Sequence, residues 1–280
     1  MGKRGQVSVL IIVAIVIIGA IGIYFTLENF TDVKKLDFNS RIEIVRGELL
    51  ECFNLIYQDS LDLVGAQGGY YNEPFGNYEV QGENVFIPYY KDDDNFYLPS
   101  IKLIESELGI AVDSTLDYCF KTVSFNNLEF NIYFSEPNTS AIINEKDVSF
   151  VTLVNMNIAL ENQTSFFEFN EEKIILSSLK GMHNIADYYL YQNLINEDSI
   201  PADGIAKIAE EEDVSVDITH HSKGVLMVSI FPLKDSSYPQ IFNFLDSPKG
   251  IKEEKIDQEE IISSTVDDDE ELEDFEWEEL

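Results

Sequence analysis

The chain has 280 residues, 45% of them hydrophobic, and carries a formal net charge of −34 at pH 7. This charge argues against nucleic acid as a partner, because binding it depends on Lys and Arg side chains that neutralise phosphates. The length and the hydrophobic content are sufficient for a packed domain with a substantial core.

The N-terminal segment is predicted to span a membrane. The run from Val7 to Phe25 is almost entirely apolar, and a helix of that length extends about 28 Å, close to the hydrocarbon core of a bilayer. No small-residue cleavage site follows the run, so its removal as a secretory signal is not expected. Lys3 and Arg4 precede it, which predicts a cytoplasmic N-terminus and an extracellular C-terminal domain. The alternative is a buried core helix.

The junction "KRGQVS" resembles the class III signal peptide of archaeal type IV pilin-like proteins. In that family a basic leader ends in Gly, a prepilin-type peptidase cuts before Gln, and the hydrophobic helix stays on the mature protein. The resemblance implies Gly5 as the last leader residue and Gln6 as the first mature residue. Leu10 stands where pilins usually have Glu, a departure that bears on filament assembly. An uncut N-terminal anchor is the alternative.

A helix is predicted around Cys52, in "EIVRGELLECFNLIYQDSLDLV". Apolar positions recur there at intervals of three and four residues, namely Val45, Leu49, Phe53, Ile56 and Ser60/Leu61. The helix is expected to stop at "VGAQGGYY", because its glycines supply the backbone freedom that ends a helix. Gly68 and Gly69 are expected to form a turn packed under Tyr70 and Tyr71.

Residues 70–99 are predicted to be extended and irregular. Within them "KDDDN" is expected to be a solvated hairpin tip, and calcium binding by Asp92, Asp93 and Asp94 is the alternative, because carboxylates suit a hard cation. Pro99 and Ser100 predict the start of a second helix that runs to about Cys119.

The two cysteines, Cys52 and Cys119, fall on these two predicted helices. If both lie outside the cell they can oxidise, and a single pair has only one connectivity, so a disulfide is expected. Two independent buried thiols are the alternative. Metal binding is not expected, because neither cysteine has a second Cys or a His at ligand spacing.

The resemblance extends beyond the N-terminus. The helix bearing Cys52, the motifs "AQGGYY", "FIPYY" and "LPSI", and the helix bearing Cys119 resemble a family of uncharacterised anchored archaeal proteins that share the "KRGQV" start. The likeness covers roughly residues 1–120. It implies a location and a fold, but no activity.

Past Cys119 the hydrophobic period becomes two. After a hairpin turn at "FNN", the segments "NLEFNIYFSE", "DVSFVTLVNMNIAL" and "SFFEFN" predict an antiparallel meander. A third helix, from about Glu171 to Asn196, is expected to cover it with an apolar face made of Ile174, Leu179, Met182, Ile185, Tyr189 and Leu194. A short helix after Pro201 and the hairpin "VSVDITHHSKGVLMVSIFPL" complete a second α+β unit.

The motifs of phosphate loops, helical zinc sites and Cys-x-x-Cys redox sites are not found in the sequence, so no catalytic residue and no cofactor are predicted. His183 is expected to be a packed or surface histidine. His220 and His221 adjoin the turn "SKG" and are expected to be surface loop residues. They would make a poor chelate, because neighbouring residues in a strand point to opposite faces.

The predicted fold class is α+β, an N-terminal transmembrane helix followed by an ectodomain of helices packed on antiparallel sheet. The expected organisation is a basic leader at 1–5, the transmembrane helix at 6–27, a helical and extended region at 28–122 that contains both cysteines, an α+β region at 123–250 and an acidic disordered tail at 251–280. The tail is expected to aid solubility. The alternative is that its aromatic residues form a docking peptide for a basic partner surface.

These features predict a single-pass archaeal surface protein with a structural or binding role. The expected partners are membrane lipid, the prepilin-type peptidase and other surface or pilin-like proteins. A minor pilin or filament component is one alternative, and an anchored extracytoplasmic enzyme is another.

Overall fold

The computed structural model describes residues 38–81, 85–126, 130–195, 202–222, 224–234 and 237–247. The predicted leader with Gly5 and Gln6, the predicted span at 6–27 and the predicted tail at 251–280 lie outside these residues. Among the residues that are described, no helix has both the length and the apolar character that crossing a membrane requires.

The described residues form an α+β fold of four helices and two sheets whose strand pairs are mostly antiparallel, in agreement with the predicted class. The helices are α1 (Phe38–Ala66), α2 (Ile101–Asn126), α3 (Leu179–Ile195) and α4 (Ala202–Glu211). The strands are β1 (Tyr78–Val80), β2 (Phe86–Asp92), β3 (Asn95–Phe96), β4 (Asn131–Phe134), β5 (Asn138–Ile143), β6 (Asp147–Leu160), β7 (Gln163–Leu176), β8 (Val214–Ser222), β9 (Val225–Pro232) and β10 (Phe242–Ser247).

α1 buries the apolar stripe that its sequence predicts. The buried members of the stripe are Val45, Leu49, Phe53, Ile56, Ser60 and Leu61. The helix ends at Ala66, as expected from the glycines that follow. Gly68 and Gly69 have φ angles of +56° and +83°, a backbone region that residues with a Cβ rarely adopt.

α2 begins where its sequence predicts, directly after Pro99 and Ser100. The Ser100 Oγ accepts a hydrogen bond from the backbone N of Leu103 at 3.2 Å, so Ser100 is the N-cap residue of the helix.

The predicted end of α2 near Cys119 is wrong, because the helix continues to Asn126. Phe120 and Val123 are buried and extend the apolar stripe of α2 beyond the cysteine. This burial favours further helical turns over the predicted hairpin turn at "FNN", and the first two residues of that motif belong to α2.

A disulfide joins α1 to α2. It links Cys52 and Cys119, whose Cα atoms are 5.8 Å apart. Cys119 is fully buried and Cys52 is partly buried. The predicted bond is confirmed, and the alternative of two independent thiols is excluded.

The smaller sheet is built around β6, whose bounds match the predicted long strand. β7 pairs antiparallel with the whole of β6, from Gln163 opposite Leu160 to Leu176 opposite Asp147. On the other edge, β5 pairs with the first part of β6 and β4 with the last part. The predicted meander is confirmed, although no prediction covered β5.

The start of the predicted third helix is wrong, because residues 171–176 are the end of β7 and α3 begins only at Leu179. The residues from Lys173 to Leu176 pair with the first four residues of β6, and these long-range backbone hydrogen bonds favour the strand. The Ser177 Oγ then accepts a hydrogen bond from the backbone N of Leu179 at 3.1 Å. Ile174 is accordingly exposed and lies outside the helix.

The larger sheet has the strand order β1-β2-β10-β9-β8, with β3 on the same edge of β2 as β1. β2 and β10 are parallel, and the other neighbours are antiparallel. The predicted β8–β9 hairpin and the short helix α4 are confirmed, whereas β10 was not predicted. The larger sheet therefore combines strands from both predicted regions, because β2 lies in the region at 28–122 and β10 lies in the region at 123–250.

One hydrophobic core connects the helices to both sheets. At its centre the Phe53 ring of α1 lies 5.9 Å from the Phe120 ring of α2 and 4.8 Å from the Phe169 ring of β7. Aromatic pairs at these centroid distances add to the free energy of area burial. The two helices are therefore packed against the smaller sheet through the same side chains.

We predict that loss of the disulfide weakens the fold substantially. The bond closes a loop with a sequence separation of 67 residues, for which chain entropy gives a stabilisation of about 4 kcal/mol. The double substitution Cys52→Ala/Cys119→Ala should lower the free energy of unfolding by about this amount in chemical denaturation. Reduction of the wild-type protein should have a similar effect. If only the variant is destabilised, lost packing at Cys119 is responsible and not the bond.

We also predict opposite effects for two Gly→Ala substitutions. At Gly68 an added Cβ would lie 2.6 Å from the Asn243 backbone O, and the φ angle is +56°, so Gly68→Ala should cost about 2 kcal/mol or more. At Gly47, inside α1, an added Cβ meets nothing within 4 Å, so Gly47→Ala should stabilise by about 0.5–1 kcal/mol. Thermal unfolding of the two variants provides the comparison, and equal effects would contradict it.

Candidate functional site

A cleft of about 470 Å³ lies between the loop that follows α1, strand β2 and the first turns of α2. Aromatic and proline residues make up seven of its fifteen lining residues, and three of them are tyrosines, so we call it the tyrosine cleft. The seven residues are Tyr70, Pro74, Phe75, Pro88, Tyr89, Tyr97 and Pro99. Its volume is in the range that small ligands and single side chains occupy in proteins.

The loop over the cleft is held by one carboxylate. The Glu107 Oε2 accepts hydrogen bonds from the backbone N of Tyr71 at 2.9 Å, from the backbone N of Asn72 at 2.9 Å and from the Asn72 Nδ2 at 3.2 Å. Glu107 is only 9% exposed. Its position on α2 therefore fixes the path of the chain immediately after the glycine turn.

Two glycines allow the backbone to approach the cleft closely. The Gly68 carbonyl accepts a hydrogen bond at 2.6 Å from the hydroxyl of Tyr90, which is fully buried. A Cβ at Gly76 would lie 3.3 Å from the Tyr97 ring, so this position lets the loop lie directly on that ring. Glycine at these two positions therefore leaves room for close packing of the backbone against aromatic residues.

The described residues that line the cleft carry negative charge and no positive charge. Its lining includes Glu73 and Glu107, and none of the described lining residues is Lys, Arg or His. At its edge the Asn77 Nδ2 donates a hydrogen bond to the Asp92 carboxylate. No ion pair involving Glu107 is formed with any described residue. The cleft therefore offers a negative potential between apolar walls.

Two tyrosines of the cleft, Tyr70 and Tyr89, are held in the neutral form. Burial, and secondly the charge of Glu107, raise the pKa of Tyr70 to about 12, and the Tyr70 hydroxyl donates to the backbone O of Tyr97 at 3.0 Å. Burial is also the largest cause that raises the pKa of Tyr89, whose hydroxyl donates to the Glu79 carboxylate. These hydroxyls act as hydrogen-bond donors and do not add negative charge.

A second polar cluster lies inside the fold, where β10 meets α3. The Asp246 Oδ2 accepts hydrogen bonds from the Tyr189 hydroxyl at 2.7 Å and from the Asn193 Nδ2 at 3.2 Å. Its Oδ1 is buried without a hydrogen-bond partner among the described residues. Burial raises the pKa of Asp246, while the bond to Tyr189 and the charge of Lys91 act in the opposite direction. This cluster ties the sheet to the helix and does not line the tyrosine cleft.

The three histidines do not share a site. His183 is buried, which is one of the two environments predicted for it. Its Nε2 lies 2.8 Å from the backbone O of Pro99. Burial lowers the pKa of His183. His220 is exposed, and the His221 Nε2 lies 2.8 Å from the Glu79 carboxylate. The predicted loop position of the last two is wrong, because both belong to β8.

The aspartates of "KDDDN" form a hairpin tip, as predicted. β2 ends at Asp92, and Asp93 and Asp94 are exposed in the turn to β3. Within the described ranges, no group of three or more His, Cys, Asp or Glu side chains is placed to hold a metal ion. The structure therefore offers nothing in favour of the calcium alternative at this tip.

Sequence reasoning missed the residues that the fold brings together here. Glu107 follows Ile104 and precedes Leu108 and Ala111 on the buried face of α2, and an acidic residue on an apolar helical stripe is a signal that could have identified it. Asp246 gave no such signal, because β10 was not predicted. Gly5 and Gln6, the predicted processing residues, lie outside the described residues.

Comparison of the chain with protein-family models, with curated proteins and with solved structures gives no match to any of them. The features of the molecule that bear on function are therefore the disulfide, the tyrosine cleft and the N-terminal sequence.

We predict a pH dependence of stability that originates at Asp246. Because its pKa is raised on folding, the Asp246 carboxyl binds a proton more tightly in the folded protein than in the unfolded chain. The stability that this proton contributes is fully present below the unfolded pKa, and it is lost as the pH rises through the folded pKa. In denaturation experiments from pH 3 to 8, the stability of Asp246→Asn relative to wild type should therefore increase as the pH rises. Asp217→Asn removes an exposed carboxylate on β8 and controls for net charge. Parallel curves for wild type and Asp246→Asn would contradict the prediction.

Proposed function

We propose that this protein is a single-pass, membrane-anchored, extracytoplasmic archaeal protein with a pilin-like N-terminus. Residues 6–27 span the membrane in this proposal, and the α+β domain lies outside the cell. A prepilin-type peptidase removes residues 1–5 by cutting between Gly5 and Gln6. Support comes from the apolar run, from the basic residues that precede it and from the resemblance of "KRGQVS" to class III signal peptides.

The disulfide is the observation that carries the extracytoplasmic location. Structural disulfides persist in oxidising environments and are rare in reducing cytosol. Both cysteines of the chain are used in the one bond between α1 and α2, and that bond belongs to the core. A location outside the cell therefore fits the chemistry on which this core depends.

We further propose a structural or binding role in place of catalysis. His183 and His221 have separate partners, which gives a general-base mechanism little support. The tyrosine cleft, by contrast, is a concave and largely apolar surface with a few polar groups, which is the usual character of a binding site. Membrane lipid, the peptidase and other surface or pilin-like proteins are the expected partners.

We predict that the mature protein isolated from membranes begins at Gln6. N-terminal sequencing of wild type and of Gly5→Leu should give Gln6 for the first and an uncut leader for the second, because the resemblance assigns Gly5 to the cleavage site. Gly19→Leu, within the apolar run, is the matched control and should be processed normally. An uncut wild-type leader would mean a plain anchor. Recovery of the protein in sheared filaments would favour the minor-pilin alternative.

A protease added to intact cells tests the location separately. The α+β domain should be degraded, and Cys52 and Cys119 should resist thiol labelling until a reductant is added. A protected domain with both cysteines reduced would overturn the extracytoplasmic proposal, whatever the N-terminal residue.

A further inference from the structure

The tyrosine cleft contains a nearly buried carboxylate, that of Glu107, and no Lys, Arg or His among the described residues that line it. Burying an ionised group costs free energy unless it is paired or fully hydrogen-bonded. The Oε2 of Glu107 is occupied by the loop at Tyr71 and Asn72, whereas its Oε1 has no hydrogen-bond partner among the described residues. One oxygen of this carboxylate therefore remains to accept a hydrogen bond from a ligand.

The surroundings of Glu107 favour a cation as that ligand. The second acidic residue of the lining is Glu73, and the described lining contains no basic residue. Apolar walls around charges of one sign strengthen their potential, because little water screens them. The N-terminal end of α2 carries partial positive charge, and Ser100 accepts hydrogen bonds from the backbone amides of Leu103 and Ile104 there, which offsets part of this charge.

The walls of the cleft favour a planar cation in particular. The Phe75 side chain at the rim is fully exposed, so its ring faces are accessible to a ligand. Tyr97 and the ring of Pro88 present further flat apolar surface in the lining. A guanidinium stacks on such faces, is more weakly hydrated than an ammonium and donates strong hydrogen bonds to carboxylates.

We propose that the tyrosine cleft binds the guanidinium of an arginine side chain presented by a basic segment of a partner protein. The guanidinium donates to the free Oε1 of Glu107 and stacks against the aromatic walls. The acidic tail of this chain is not the occupant, because its like charge would be repelled by Glu73 and Glu107. The proposal does not depend on anchoring or processing, so it and the proposed function can fail separately.

The test measures binding of a dye-labelled Gly-Gly-Arg-Gly-Gly amide to the full-length protein by fluorescence anisotropy. The matched probe carries citrulline, which has a similar shape to arginine but no charge. Salt at about 0.5 M shortens the screening length to about 4 Å and suppresses attraction to the acidic surface in general. The arginine probe should bind and the citrulline probe should bind at least about tenfold more weakly. Equal binding of the two probes would overturn the cationic ligand.

Glu107→Gln separates the charge from the loop contacts, because the amide oxygen can still accept from Tyr71 and Asn72. This variant should lose about tenfold or more in affinity for the arginine probe. Glu105→Gln is the matched control. Glu105 lies on the same helix, is also nearly buried, and is engaged by Lys102 and by the backbone N of Ile143. Equal losses in both variants, or none in Glu107→Gln, would overturn the site.

Phe75→Ala keeps the proposal falsifiable if Glu107→Gln does not fold. Phe75 is exposed, so its removal should leave the unfolding temperature unchanged and weaken the arginine probe by about two- to fivefold. Phe166→Ala removes an exposed phenylalanine on β7 and should leave binding unchanged. Wild-type affinity in Phe75→Ala would overturn the stacking arrangement.

Discussion

The covalent link between α1 and α2 is the constraint on which the rest of the structure depends. α1 contacts β6 and β7 of the smaller sheet and β10 of the larger one, and α2 contacts β4 and β5. The disulfide fixes the two helices near the Phe53, Phe120 and Phe169 rings. Because protein interiors are close-packed, a shift of one helix along the other would disturb side chains from both sheets. One bond between two helices therefore sets the positions of many strands.

The tyrosine cleft results from this helix pair. The C-terminal end of α1 is held against the larger sheet through Gly68, whose carbonyl accepts from Tyr90, and an added Cβ at Gly65 would lie within 2.4 Å of the Pro239 ring. Glu107 lies twelve residues before Cys119 on α2, about 18 Å along the helix. The disulfide anchors one part of α2 while Glu107 holds the loop at another. Contacts between residues far apart in the sequence therefore determine the shape of the cleft where α2 lines it.

Local patterns explain why some parts of this fold could be predicted from the sequence and others could not. The stripe of α1, the strand β6 and the hairpin β8–β9 each show a period that identifies them without knowledge of their neighbours. The end of β7 has no such signal, because residues 171–176 become a strand through pairing with the start of β6. β10 joins β2 in parallel across more than 150 positions of sequence, and no local pattern encodes that pairing. The tyrosine cleft depends on the same long-range arrangement. The sequence therefore shows its prolines and aromatic residues but does not predict that they line one cleft.

Acidic side chains in the cleft are less screened by solvent than acidic side chains on the rest of the surface. The chain has 52 acidic residues. Where their side chains are exposed, water and salt screen the charge, so a single ion pair adds little to the stability of the fold. Glu107 is shielded from that screening, and its two oxygens have different environments. A cation bound at Oε1 would interact with the same carboxylate whose Oε2 accepts hydrogen bonds from the backbone N of Tyr71 and of Asn72. Asn72 and Glu73 also line a neighbouring groove. Glu107 therefore joins the wall of the cleft to loop residues that also line a second groove.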